Sequence, residues 1–278
     1  MYPLHKEQGR PHCLRFLIKG LGLVDVGRNQ PNMVSSSEGA EVFFSREEID
    51  RCSPSRRDGI DVQKETFLRN SYCSFLQTLG MRLQLPQPTI ATAMVLCHRF
   101  FLRRSHAAYD RFVIATSALF LSAKSEETPR PLNSFVLVSY EMCHRQDLAN
   151  FHYNMPKDWF EHYKECILEA EQLLLTALDF EISVQHPYSH LIAVFSKNGL
   201  LQANLFHVAW KFVNDGLRSS LWLQFRPNHI AAGAAFLAAR TLNMDLLASG
   251  GFGWWQDFQT TPAILDNVVR QMLELYGS

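Results

Sequence analysis

The sequence is short of several things that would decide its class at once. It has no charge excess, with 27 Lys and Arg against 27 Asp and Glu. A dedicated nucleic-acid binder usually carries a basic face or a basic balance, so that class is disfavoured. Its six cysteines, Cys13, Cys52, Cys73, Cys97, Cys143 and Cys166, form no CxxC pair, and several sit inside apolar helical patterns as small hydrophobes. This usage fits a reducing, intracellular compartment. No apolar window reaches the roughly 20 residues that cross a bilayer. The N-terminal run at 14–26 is broken by Lys19, Gly20, Gly22 and Asp25, which makes a poor signal peptide. Strand alternation is nearly absent. The glycines Gly20, Gly22 and Gly27 are spaced wrongly for a GxGxxG phosphate loop.

What is present is helical. The segment 112–127, FVIATSALFLSAKSEE, carries no charge until Lys124 and mixes small Ala and Ser with large Ile, Leu and Phe. A helix apolar on every side is buried within a protein, and this one ends abruptly in Lys124, Glu126 and Glu127. It also recurs. IATSALFLSAK from Ile114 aligns with IAAGAAFLAAR from Ile230 at six identities in eleven, with Lys answered by Arg. A repeat separated by more than a hundred residues is too long for a solenoid unit. It implies two copies of one domain, each packed around a buried central helix, and 278 residues suffice for two such domains.

Along the chain, 1–41 carries Gly, Pro, Asn and a Ser35-Ser36-Ser37 run without lasting period, and is expected to be a disordered extension. Ser45 and Glu48 form a capping box for a short helix. The segment 53–61 reads as a turn ending in Asp61, the N-cap of a long amphipathic helix whose inward face is Leu68, Tyr72, Phe75, Leu76, Leu79 and Leu83. Pro86 and Pro88 start another, with Ile90, Met94, Cys97 and Phe101 as its inward stripe. Further helices are expected at 135–142 and 158–178. After the linker 180–186 they are expected at 188–197, 202–217, 229–242 and 262–276, with a short element at Trp254-Trp255. The expected fold is all-α, two five-helix domains at 42–182 and 183–278.

Chemistry-bearing constellations are few. His162 and Cys166 are one helical turn apart with Cys143, His144 and His152 nearby in sequence, a pattern that metal binding would need to complete with a second ligand pair. The plainer account is an exposed His beside a buried Cys. His98, in an apolar helix, reads as a core or interface histidine. The Arg51, Arg56, Arg57 and Arg99, Arg103, Arg104 groups are candidates for contacts or simply solvated faces.

The runs FFSREEIDRCSPSRRDGID, TIATAMVLCHRFFLRRSH and ALFLSAKSEETPRPL resemble the first cyclin box of a T-type cyclin of the plant form. LRSSLWLQFRPNHIAAGAAFLAAR with WWQDF resembles the second box, so the likeness covers nearly all of 42–276. It implies the tandem cyclin fold and a regulatory rather than catalytic role, with no cofactor and no metal. The implied partner is a cyclin-dependent kinase of the plant C-type, elongation class, which phosphorylates the C-terminal repeats of RNA polymerase II in the nucleus. No membrane association and no direct sequence-specific DNA binding are expected. Carried over by position, the kinase-facing Lys is Lys124 and its partner is Glu171, with Phe120 and Glu127 beside them. The first box is expected to hold most of the kinase contact, the second to buttress it.

Departures from the family also carry expectations. Leu68-Arg69-Asn70-Ser71-Tyr72 replaces part of the apolar docking patch of cell-cycle cyclins. His98 stands where those cyclins have an Asp paired with the Arg at Arg69. Val42-Phe43-Phe44 replaces the usual WYF, which weakens the expectation that the N-terminal segment docks. The alternative class is a nucleic-acid-binding factor of the transcription factor IIB kind, which shares the duplicated fold and would need a basic surface and a zinc ribbon.

Overall fold

The computed structural model describes residues 42–143, 157–200, 203–244 and 254–277. The extension 1–41 and the segment holding His144 and His152 lie outside them. Among the described residues every regular element is helical.

The N-terminal piece contains α1 (Arg46–Cys52) and α2 (Pro54–Arg57). Ser45 caps α1 as the sequence predicts, its Oγ accepting from Glu48 N while the Glu48 carboxylate accepts from Ser45 N. The expected turn at 53–61 contains the one-turn α2, because Ser53 caps it and Pro54 supplies a ready-made first-turn φ. The first half then runs α3 (Val62–Arg82), α4 (Gln87–Arg103), α5 (Arg111–Ser125), α6 (Leu132–Cys143) and α7 (Lys157–Ala177). The second comprises α8 (Pro187–Lys197), α9 (Ala203–Gly216), the short α10 (Leu221–Gln224), α11 (Pro227–Thr241), a 3-10 turn at Trp254–Phe258 and α12 (Pro262–Glu274).

The two repeated helices are central. α5 packs on α3, α4, α6 and α7, while α11 packs on α8, α9, α10 and α12. Every residue from Val113 to Leu119 is buried, as is every residue from Ile230 to Ala235. Each fully buried Leu, Ile or Phe contributes about 1.5–3 kcal/mol of transfer free energy. Small residues decide how close the helices come. Ser117 in α5 donates its Oγ to Ile167 O of α7 at 2.8 Å. Gly233 holds the matching place in α11, where a Cβ would stand 2.5 Å from Val268 Cγ1 of α12.

α4 departs from its expected single stripe, since all ten residues from Thr89 to His98 are buried. The reason is that α4 serves both halves: one side packs on α3 and α5, the other on α10. His98 Nε2–H donates to Leu217 O at 2.7 Å and Cys73 Sγ approaches the same oxygen at 3.7 Å. That carbonyl lies just past α9, where helical acceptors lack intrahelical partners. The N-terminal segment docks on the second half despite lacking Trp. Phe44 N donates to Leu223 O at 2.9 Å, Ile49 is buried, and Arg46 pairs with Glu274 at 2.8 Å. The buried apolar residues of both halves form one continuous core.

Candidate functional site

The charged end of α5 is built by helix geometry. Asp110 caps the start, accepting from Phe112 N and Val113 N, and the helix runs for four turns without an exposed charge until Lys124. Lys124 sits in the last turn, where the orphan carbonyls and the macrodipole favour a cation. Its Nζ lies 4.4 Å from the centroid of the Phe120 ring, one turn back, a cation–π geometry. Phe120 in turn stands edge-on to Phe135 of α6, centroids 5.3 Å apart. Lys124 Nζ also closes on Oε1 of Glu171 in α7 as an ion pair. The contact lies off the hydrogen-bond direction, so Oε1 has charge compensation without a directional donor.

The exposures of this pair are unequal. The Glu171 side chain is 11% accessible and that of Lys124 44%. The half-exposed lysine therefore links a buried carboxylate to the surface. Leu168, 43% exposed, and Leu175 flank Glu171 at i−3 and i+4 on α7, the spacing that shares a helix face. Three of the four expected site residues thus come together: Lys124, Phe120 and Glu171. Glu127 stands apart. It opens the exit turn in the left-handed region (φ 54), exposed, with its N–H on Lys124 O at 3.3 Å, and its carboxylate forms no ion pair among the described residues.

Glu126 does what its neighbour does not, and the motif gave no hint of it. Its Oε1 accepts from Thr92 Oγ1 at 2.8 Å. Since the single hydroxyl proton of Thr92 is so used, Thr92 accepts from His186 Nε2–H, also at 2.8 Å. His186 is the N-cap residue of α8. A chain of three side chains therefore joins the charged end of α5, through α4, to the start of the second half. Burial holds the His186 imidazole down to about 4, so it stays neutral in this role.

The other candidates resolve into structure. His98 accepts from Tyr72 Oη at Nδ1 (2.6 Å) and donates to Leu217 O; burial, with Arg69 nearby, drives its pKa down to about 3. It is the interface histidine the sequence suggested. Arg56 pairs with Asp50 and the buried Glu65. Arg99 donates to Ser183 O, and Arg103 to Ala177 O at the end of α7. These arginines are staples, not free contacts. His162 Nε2 lies 3.6 Å from Cys166 Sγ, yet burial pushes that thiol up to about 11, the wrong direction for a thiolate ligand or nucleophile. Among the described residues no group of three or more His, Cys, Asp or Glu could hold a metal ion.

The second copy of the central helix lacks the cluster. Phe236, at the place of Phe120, stacks under Trp254 of the 3-10 turn with the rings nearly parallel at 6.1 Å. The corresponding stretch of α12 presents the buried Met272 to Gly233, with no carboxylate. The first end pairs its cation with a carboxylate beside an open ring, whereas at the second the ring is covered by Trp254 and Arg240 is exposed.

Comparison with known proteins agrees with this architecture. The cyclin N-terminal domain family matches residues 41–183. Cyclin-T1-3 of Oryza sativa subsp. japonica is 55% identical over 238 residues, 86% of this chain and 49% of that protein. Cyclin-T1-3 of Arabidopsis thaliana is 42% identical over 238 residues, 86% of this chain and 74% of that protein. The chain spans about half or less of the first relatives it matches. Among solved structures, a chain of the yeast RNA Pol II CTD kinase CTDK-1 complex superposes with a TM-score of 0.71 at 20% identity, covering 84% of this chain and 72% of that one, a likeness of fold. The duplicated central helix, the family match and these identities converge: the chain belongs to the cyclin family, among the T-type cyclins of plants.

Proposed function

We propose that this chain is a regulatory subunit that binds and activates a nuclear cyclin-dependent kinase of the elongation class, which phosphorylates the C-terminal repeats of RNA polymerase II. The single observation that carries the reading is the Lys124, Phe120 and Glu171 cluster, set beside the exposed Leu168 at the open end of α5. The plant T-type relationship supports it, as does the fold shared with a chain of the yeast RNA Pol II CTD kinase complex. The chemistry suits positioning. A kinase is inactive until its own Lys pairs with the Glu of its αC helix, and a partner that holds αC inward sets that equilibrium. A rigid buried rod ending in a lysine, with apolar side chains around it, offers such a partner a fixed charge and a dry rim. Docking would desolvate the pair further and strengthen it.

The test mixes the protein with a plant C-type kinase subunit and follows both affinity and phosphorylation of a polymerase-tail peptide. Wild type should bind and stimulate. Lys124→Ala, which leaves the Glu171 carboxylate unpaired in the docked complex, should weaken binding by about 2–5 kcal/mol, and Lys124→Ala combined with Glu171→Ala should weaken it by less. Absence of complex and of stimulation with the wild-type chain would sink the proposal. An unchanged affinity in both variants would move the interface away from this end of α5.

A further inference from the structure

On another face of the molecule a cleft of about 990 Å³ opens between the halves. Arg46 precedes it on α1, Arg69 comes from α3, Lys211, Asp215 and Arg218 come from α9 and its end, and Glu274 closes it from α12. Four cations thus face two carboxylates, and both carboxylates are taken. Asp215 accepts from Lys211 Nζ at 2.7 Å and from the Tyr276 hydroxyl at 2.5 Å. Glu274 receives Arg46 Nη1 at 2.8 Å.

Arg69 and Arg218 remain. Neither has a carboxylate within 4.0 Å among the described residues. Arg218 donates Nη1 to Ser74 Oγ at 2.8 Å, a bond that aims the guanidinium without neutralising it. Both positive charges act on the same buried thiol, Cys73, lowering its pKa against the effect of burial. The two guanidiniums, one from each half, line the same cleft. Arg69 stands between this cleft and a small inner cavity that it lines with Tyr72, His98 and His106. Two guanidinium forks without a carboxylate, Arg69 half-buried and Arg218 exposed on the wall of one cleft, form a receptor for a planar or tetrahedral oxyanion.

We propose that this cleft binds a phosphorylated serine or threonine side chain of a peptide, held by Arg69 and Arg218. The volume is far larger than a free phosphate needs and lies at the upper end for small-ligand clefts. Thr66 and Asn70 supply neutral hydrogen-bonding groups along its walls, as an extended peptide backbone requires. Nucleic acid fits worse. A phosphodiester backbone needs a continuous basic stripe, and here Asp215 and Glu274 interrupt it. The cleft lies on other elements than the end of α5, so the site is independent of the kinase assignment.

Binding of the full chain to a degenerate dodecapeptide pool with a fixed central phosphoserine, measured by fluorescence anisotropy, tests it. The comparison probes are the same pool with serine, inorganic phosphate, and single-stranded RNA of equal length. The phosphorylated pool should bind about tenfold or more tightly than the serine pool, as charge-assisted hydrogen bonds require. Arg218→Ala should remove most of that difference while the thermal midpoint holds. Asn70→Asp, which places a new carboxylate in the cleft, provides a second variant with the same expected loss. Equal binding of the two pools, tighter binding of RNA, inorganic phosphate binding as tight as the phosphopeptide, or both variants behaving as wild type would each overturn the proposal.

Discussion

His98 shows how one side chain can be read correctly in type and still surprise in its work. It is fully buried, with the Tyr72 hydroxyl on Nδ1, Leu217 O on Nε2, and Arg69 as the nearby charge. Its folded pKa is lowered to about 3 from the ordinary histidine value of 6.5. His106, stacked on Phe101 and facing Arg69, Arg111 and His98, is likewise lowered to about 3, and His186 to about 4. Between these values and about 6.5 the unfolded chain binds protons that the folded chain refuses. Their stabilisation is therefore complete above about pH 6.5 and is lost as pH falls below it. Each contributes a slope of up to about 1.4 kcal/mol per pH unit in that window. Urea unfolding at pH 7.5, 6 and 5 should show a steadily falling midpoint, and a flat profile would mean that the imidazoles are solvated. Tyr72→Phe leaves Nδ1 of His98 without its donor and should cost about 1–3 kcal/mol, read in the same experiment at pH 7.5.

At the scale of elements, the duplication reaches further than the apolar residues that announced it. Ile114 and Ile230 lie 116 positions apart, the same separation as Glu127 and Asn243. Both of these residues are left-handed, with φ of 54 and 52. Both close their helix the same way: Glu127 N to Lys124 O at 3.3 Å and Asn243 N to Arg240 O at 3.2 Å. In each copy the next residue also bonds back to an alanine, Thr128 N to Ala123 O and Met244 N to Ala239 O, both at 2.9 Å. The apolar pattern made the two central helices legible because a helix buried all round leaves an unbroken run of uncharged residues. The ion pair was legible only through family resemblance, since nothing in the spacing of Lys124 and Glu171 brings α5 and α7 together. The chain from Glu126 through Thr92 to His186 was invisible, because its members are common residue types on three distant segments. Also hidden was the short α10, whose four residues have no period. Close packing at Gly233 yields a prediction of opposite sign to helix propensity. Ala would gain about 1 kcal/mol as a helix former, but its Cβ meets Val268 Cγ1 at 2.5 Å. Overpacking of that kind costs about 1–3 kcal/mol. Gly233→Ala should lower stability in chemical denaturation, and adding Val268→Ala should recover part of the loss. A stabilised single variant would mean that α11 and α12 separate freely.

For the whole molecule, the question is whether two boxes mean two folding units. Duplicated domains often unfold separately, since interfaces between domains of one chain are commonly polar and loose. Here the junction has the character of a core. α4, buried along its length, packs on α10 of the other half. The end of α9 has its buried Leu217 carbonyl satisfied by His98 and Cys73, and the linker residue His186 is bonded to Thr92. Separating the halves would break these bonds and uncover apolar side chains on both sides, at about 25 cal/mol for each Å² of apolar surface exposed. Scanning calorimetry of the full chain should therefore show one transition, with equal calorimetric and van't Hoff enthalpies. The same construction makes residues 42–182 a poor fragment. Expressed alone, they should melt well below the full chain. Two resolved transitions in the full chain, or a fragment as stable as the whole, would show that the boxes fold independently and that the bonds across the junction merely decorate it.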